Sequence, residues 1–189
     1  MKQNFLALFT LIGLVMAIET PEYTVRGRYG KVEIRDYKSM VVAVTQVSQP
    51  YRSALSEGFR RIASYIFGGN DQKMEIAMTA PVISTRIDSE EETHEVLFVM
   101  PKKHQLNNLP MPNLDSVQLE ERKLSKVAAI SFGGWATDKR ASHYEQELKK
   151  KVQKLGLETY GKYMVAQYNS PWAIPPFRKN EILIRIKSN

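Results

Sequence analysis

The sequence predicts an α+β fold, a mainly antiparallel sheet carrying two helices in two halves that repeat the same order of elements. Short runs rich in β-branched and aromatic residues recur, two long amphipathic stretches interrupt them, and the order strands, helix, strands occurs twice. Tyr23 to Tyr29 and Val32 to Tyr37 read as short strands separated by Gly30, and Val41 to Val47 as a strongly β-branched one. Pro50 opens a first helix that runs to about Phe67. Strands at Met74 to Arg86 and Glu95 to Met100 flank an acidic turn, and the Pro- and Asn-rich piece from Pro101 to Asp115 is a surface linker. Val117 to Arg122 and Val127 to Phe132 begin the second half. Thr137 or Asp138 caps a second helix to about Leu155, with Ala141, Tyr144, Leu148, Val152 and Leu155 on its apolar face. Strands near Tyr160 to Gln167 and Ile182 to Lys187 close the chain. No residue-level repeat accompanies the repeated order.

Glu57 to Val82 is the most informative stretch. Leu55, Phe59, Ile62 and Ile66 recur at helical spacing and share a face, while Arg52, Arg60 and Arg61 fall on the flanks or opposite side. Gly68, Gly69 and Asn70 stop that helix, because Gly and Asn accept the left-handed backbone of a C-terminal cap. Beyond the stop, Met74, Ile76 and Met78 alternate with Glu75, Ala77 and Thr79, the period of a half-buried strand with both methionines on one face. Pro81 then implies an edge or a bend.

The first residues have the character of a targeting segment. Lys2 is a minimal positive region, Phe5 to Ala17 is almost wholly apolar, and Val15-Met16-Ala17 supplies tolerated residues for cleavage after Ala17. The run is shorter than the ~20 apolar residues a bilayer span needs. Removing 17 of the 189 residues leaves 172, enough for one domain over 18–189 with a full core. The net charge falls only from +7 to +6 with the loss of Lys2 and, apart from Lys149 to Lys151, is spread along the chain. This argues for solubility or attraction to anionic surfaces and against a nucleic-acid partner. The chain is expected to be exported, periplasmic if bacterial and otherwise secreted. It contains no cysteine, which excludes disulfides, thiolate haem ligation, covalent c-type haem and zinc-thiolate sites.

The stretch from the first helix through Gly68-Gly69-Asn70 to Met78-Thr79-Ala80-Pro81-Val82 resembles the signature of the SOUL haem-binding family. Glu19 to Tyr37, Met100-Pro101, Leu109 to Pro112, Phe132 to Gly134 and Tyr168 to Ile184 agree with it in the same order. The resemblance implies a curved, barrel-like sheet carrying two helices. Together with the leader, which supplies the expectation of export, it implies an exported, soluble protein that binds haem or another tetrapyrrole reversibly and non-covalently, as carrier, buffer or sequestering agent, with a small amphipathic ligand as its partner. It also places a ligand groove along the first helix and a loop near the C-terminal strands. On this chain that implicates Phe59, Ile62, Ala63 and Ile66 together with Pro171, Trp172, Ala173 and Ile174.

Such a ligand needs an apolar slot, cations for its carboxylates and, optionally, an axial ligand. Phe59, Ile62, Ile66, Met74 and Met78 suit the slot if helix and strand diverge, and flexible, polarizable methionine packs well on flat rings. An apolar helix stripe against a sheet is equally ordinary core packing. Arg60, Arg61 and Lys73 suit the rim, or form a solvated face. Trp172 either lines the groove or, with Phe177, plugs the end of the barrel. His94 follows an acidic turn, His104 lies in the linker and His143 at the border of the second helix's buried face. No metal site is predicted, and His143 and Met78 are only weak axial candidates. Arg178 to Glu181 reads as setting up the last strand. There is no Gly-x-Ser-x-Gly elbow, His-Glu-x-x-His pair or glycine-rich phosphate loop, so an enzyme in the same groove, or an interaction module with a filled groove, stands as the alternative.

Overall fold

The computed structural model describes residues 18–170 and 173–187. Residues 1–17, where a cleaved leader is expected, and Pro171 and Trp172 lie outside them. The described strands are β1 (Tyr23–Tyr29), β2 (Val32–Tyr37), β3 (Met40–Ser48), β4 (Val82–Asp88), β5 (Thr93–Val99), β6 (Gln118–Arg122), β7 (Ser125–Gly133), β8 (Thr159–Gln167) and β9 (Lys179–Ile186). Helix α1 (Tyr51–Ile66) follows β3 and helix α2 (Asp138–Lys154) follows β7. The strands form one sheet in the order β1-β2-β7-β9-β8-β4-β5-β3-β6, with all neighbours antiparallel. This is the α+β fold with a curled, barrel-like sheet that the sequence and the resemblance predicted.

The order exposes the repeat. Strand, helix and hairpin β3-α1-β4-β5 lie in the spatial order β4-β5-β3, and β7-α2-β8-β9 lie as β8-β9-β7, with β4 and β8 paired between the halves. The strand preceding each unit is exchanged. β2 pairs with β7 of the other unit and β6 with β3. The halves are thus tied by two swapped edges as well as by the central pair.

Alternation along the strands sorts side chains into three cores. Ala43, Val96 and Phe98 face α1, where Ile62, Tyr65 and Ile66 meet them, and Ala128, Ile130, Val165, Ile182 and Ile184 face Ala141, Leu148 and Val152 of α2. The intervening residues Val42, Val44, Leu97, Val99, Val127, Ala129, Met164 and Leu183 fill the inside of the curl. Both helices therefore cover the outer face, and the inside is packed. Among the described residues no helix is long and apolar enough to cross a membrane.

On α1 the buried stripe is Ala54, Gly58, Ile62, Tyr65 and Ile66, so Leu55 and Phe59 sit at its margin and not at its centre. Gly58 lets the helix approach β5: a Cβ there would lie 2.6 Å from Val96 Cγ2. Gly58→Ala is expected to destabilise the fold by about 1–3 kcal/mol, although helix propensity alone favours Ala by about 1 kcal/mol. Denaturant unfolding decides between the signs. A stabilised variant would show that the helix stands off from the strand.

One expected element is absent. Met74 to Pro81 is not a strand, and β4 begins only at Val82, after the cis bond between Ala80 and Pro81. Its backbone groups go elsewhere: Ile76 N donates to Ile66 O at 2.8 Å and Ala80 N to Glu19 O at 2.9 Å. The methionines consequently do not share a strand face. Met74 is half-buried against the α1 core, Met78 is 44% exposed, and Ile76 and Thr79 turn inward.

Candidate functional site

α1 lies over β3 and β5 and α2 over β7, β8 and β9, so the seam between the helices runs above the central pair β4 and β8. There the structure opens a cavity of about 230 Å³. Tyr51 enters it from the start of α1, Ser84, Arg86 and His94 from β4 and β5, Asp138, Ala141 and Glu145 from α2, and Lys162, Tyr163 and Val165 from β8. Residues four apart on α1 form a ridge, so Leu55, Phe59 and Ala63 continue from Tyr51 along the flank of the helix. All three are half-buried, and the Phe59 ring lies 5.9 Å from that of Phe98. The site is an apolar ridge leading to a polar pocket.

The polar end is held by a chain of hydrogen bonds. His94 Nδ1 lies 2.7 Å from Glu92 O, to which an N–H there donates, and Nε2 faces Arg86 Nε at 3.4 Å as the acceptor. Arg86 Nη2 donates to Asp138 Oδ1 at 2.7 Å, tying β4 to the start of α2. Burial raises the Glu145 carboxyl, against the pull of Arg86. Burial also raises the Tyr51 phenol to about 12, tempered by the Ser84 hydroxyl beside it.

Other predicted residues lie differently. Ile62 and Ile66 are 0% and 1% exposed, already packed on the sheet. Arg60 is exposed and paired with Glu57, which also holds Arg61 at 2.9 Å. Ala173 is half-buried and Ile174, 59% exposed, precedes a 3-10 turn at Pro175–Phe177 that packs against β7. Trp172 lies outside the described residues. His143 is fully on the solvent side of α2, 4.0 Å from Glu147, rather than at the border of the buried face. His94 is not in a solvated turn but 1% exposed, the second residue of β5.

Two further places were not foreseen. A groove of about 310 Å³ has a floor of Met40, Val41, Val99 and Met100 beneath residues Glu19 to Glu22. Its rim is not a free cationic patch, because Glu22 bonds both Lys38, at 2.7 Å, and Lys102, at 2.5 Å, and Glu19 and Glu121 line the same groove. Inside the curl, Glu181 is 0% exposed and accepts from both Arg35 Nη atoms at 2.8 and 2.9 Å, from Tyr168 Oη at 2.6 Å and from Ser131 Oγ at 3.0 Å. Every oxygen of that carboxylate is engaged, which makes it a structural cross-tie. Among the described residues no group of three His, Cys, Asp or Glu side chains is placed to hold a metal ion.

The family model described as SOUL heme-binding protein matches residues 18–185. Heme-binding protein 1 of Xenopus laevis is 31% identical over 165 residues, covering 83% of this chain and 84% of that protein. Heme-binding protein 2 of Homo sapiens is 31% identical over 165 residues, covering 82% and 80%. Among solved structures, a hydrolase from Listeria innocua superposes with a TM-score of 0.60 at 11% identity, over 86% of this chain and 94% of that one. The EcmrR C-terminal domain does so with a TM-score of 0.60 at 11% identity, over 88% and 99%. At that identity the likeness concerns the fold alone.

Proposed function

We propose, since this chain belongs to the SOUL haem-binding family, that it takes up haem or a related tetrapyrrole non-covalently on the α1 flank of the interhelical cleft, as an exported carrier or buffer. The observation that carries the reading is the half-buried ridge of Leu55, Phe59 and Ala63, apolar surface left open beside a pocket that Arg86 and Lys162 line together with Asp138 and Glu145. A porphyrin is a flat apolar plate with two carboxylates, so it asks for such a ridge and for cations at one end. Phe59, Ala63 and Met74 would meet the ring, and Arg86 and Lys162 the charged side. The residues present fit that group without coordination. His94 Nε2 already receives Arg86 and His143 points to solvent, so shape and rim charge hold the ligand. The bound haem would supply its own iron chemistry, and the chain supplies binding and orientation.

Haem titration followed at the Soret band tests this. Saturable one-to-one binding is expected from the wild type. Phe59→Asp and Ala63→Arg should each weaken it about tenfold or more, the price of a charge set on apolar contact area. Ala63 is half-buried on a helix flank, where Arg is a good helix former, so its melting should move by no more than about 1 kcal/mol. A spectrum that stays that of free haem ends the reading. Full affinity in both variants would move the ligand away from α1.

A further inference from the structure

The polar end of the cleft holds donors that have no acceptor. Ser84 is 1% exposed and its hydroxyl finds no hydrogen-bond partner, and neither does the buried hydroxyl of Tyr51. The two are neighbours, yet they do not complete a bond with each other. A buried hydroxyl left unmade is costly, so an oxygen seated between them satisfies both at once.

The surrounding charge says which oxygen. Tyr51 is the first residue of α1, a 16-residue helix with no side-chain cap and no acidic residue in its first turn. Asp138 opens the 17-residue α2 at the opposite wall. Two positive helix ends thus converge on one cavity, and only that of α2 carries a compensating carboxylate. That carboxylate, Asp138, is itself taken by Arg86. Lys162 lines the same cavity, opposed by Glu145, whose carboxyl burial already pushes toward the neutral form.

We propose that this pocket is a carboxylate receptor, in which the Tyr51 and Ser84 hydroxyls donate to one carboxylate group between the N-termini of α1 and α2. Resting on the tetrapyrrole reading, the group is a propionate arm of the macrocycle, and the ring extends from the pocket along Leu55, Phe59 and Ala63. A free small carboxylate offers the same chemistry. A cation held by Glu145 is the opposite assignment, and ordered water is the bland one.

The test compares the wild type with the Tyr51→Phe/Ser84→Ala double variant, each titrated with haem and with haem dimethyl ester, which lacks the charge. Haem affinity should fall about tenfold or more in the variant and ester affinity by no more than about twofold, since the lost hydrogen bonds are charge-assisted only with haem. The variant's melting temperature should not fall, because each substitution removes a hydroxyl without a partner. Equal haem affinity in the two proteins, or an equal loss for haem and ester, overturns the proposal. If the wild type binds no haem, the family-based reading falls and melting in butyrate judges the pocket by itself. A rise present in the wild type and absent from the variant supports a receptor for a free carboxylate. No rise, or a rise with butylamine instead, overturns it in favour of water or of a cation on Glu145.

Discussion

Arg35→Met is expected to destabilise the fold by about 3–5 kcal/mol, because it strands the Glu181 carboxylate inside the curl. Glu181 is 0% exposed and takes two of its hydrogen bonds from this guanidinium, which also bonds Glu33 at 2.8 Å and stacks 4.4 Å from the Tyr23 ring. Lys179, at 3.5 Å, is half-exposed and offsets only part of the loss. Arg35→Met/Glu181→Leu should recover most of the stability, since replacing both members of a buried pair by apolar groups is often neutral. Chemical denaturation of the two single variants and the double variant measures the coupling. A double variant as unstable as the worse single one would show that the pair positions β2 and β9 and does more than neutralise itself.

The same carboxylate gives the fold an acid limit. Burial works to raise its pKa, but the bonds from Arg35 and Tyr168 overcome this and bring it from 4.5 to about 2. A depressed folded-state value means that the stabilisation is complete above the unfolded value near 4.5 and is lost as pH falls toward about 2. The loss across that window is about 3 kcal/mol. The double variant, lacking the group, should show a flatter acid limb. A limb as steep as that of the wild type would assign acid unfolding to other carboxylates.

Periodicity carried most of the fold, because it reports which side chains turn inward. It identified both helices and placed β1 and β2 at their observed bounds. It failed at Met74 to Thr79 because apolar alternation in a sequence does not by itself make a strand: the backbone there bonds to Ile66 and Glu19 instead of to a neighbouring strand, and Ile76 and Thr79 both turn inward. At the site, helical spacing put Phe59 on the apolar side of α1, and the family resemblance, not the spacing, set Ala63 beside it along a groove. The polar pocket was not, since Tyr51, Ser84, His94 and Glu145 meet only through the pairing of β4 with β8 across the two halves. His94 did leave a signal. It shares a period of two with Val96 and Phe98, which outweighs the acidic turn before it. Arg35 and Glu181 are 146 positions apart on strands separated by β7, and no local pattern joins them.

Asn70→Ala is expected to cost about 3–4 kcal/mol, the sum of several buried hydrogen bonds lost together. By sequence Asn70 is a helix stop on account of its backbone freedom, whereas the structure gives the work to its side chain. Gly68, with φ of +93°, turns the chain, and Gly69 passes so close that a Cβ would meet Ser64 O at 2.5 Å. Asn70 itself is 1% exposed. Its Nδ2 donates to Tyr65 O at 3.0 Å and to Met74 O at 2.8 Å, and its Oδ1 accepts from Met74 N at 2.9 Å and Gln72 N at 3.3 Å. One amide therefore fastens the end of α1 to the segment bearing Met74, and with it the lower end of the proposed ligand ridge. Asn70→Asp should be worse than Asn70→Ala at neutral pH, because it sets a carboxylate against two carbonyl oxygens. Equilibrium unfolding gives the ranking, and haem titration of whichever variant folds gives the functional consequence. If Asn70→Asp is as stable as the wild type, the amide donor is not what holds the turn.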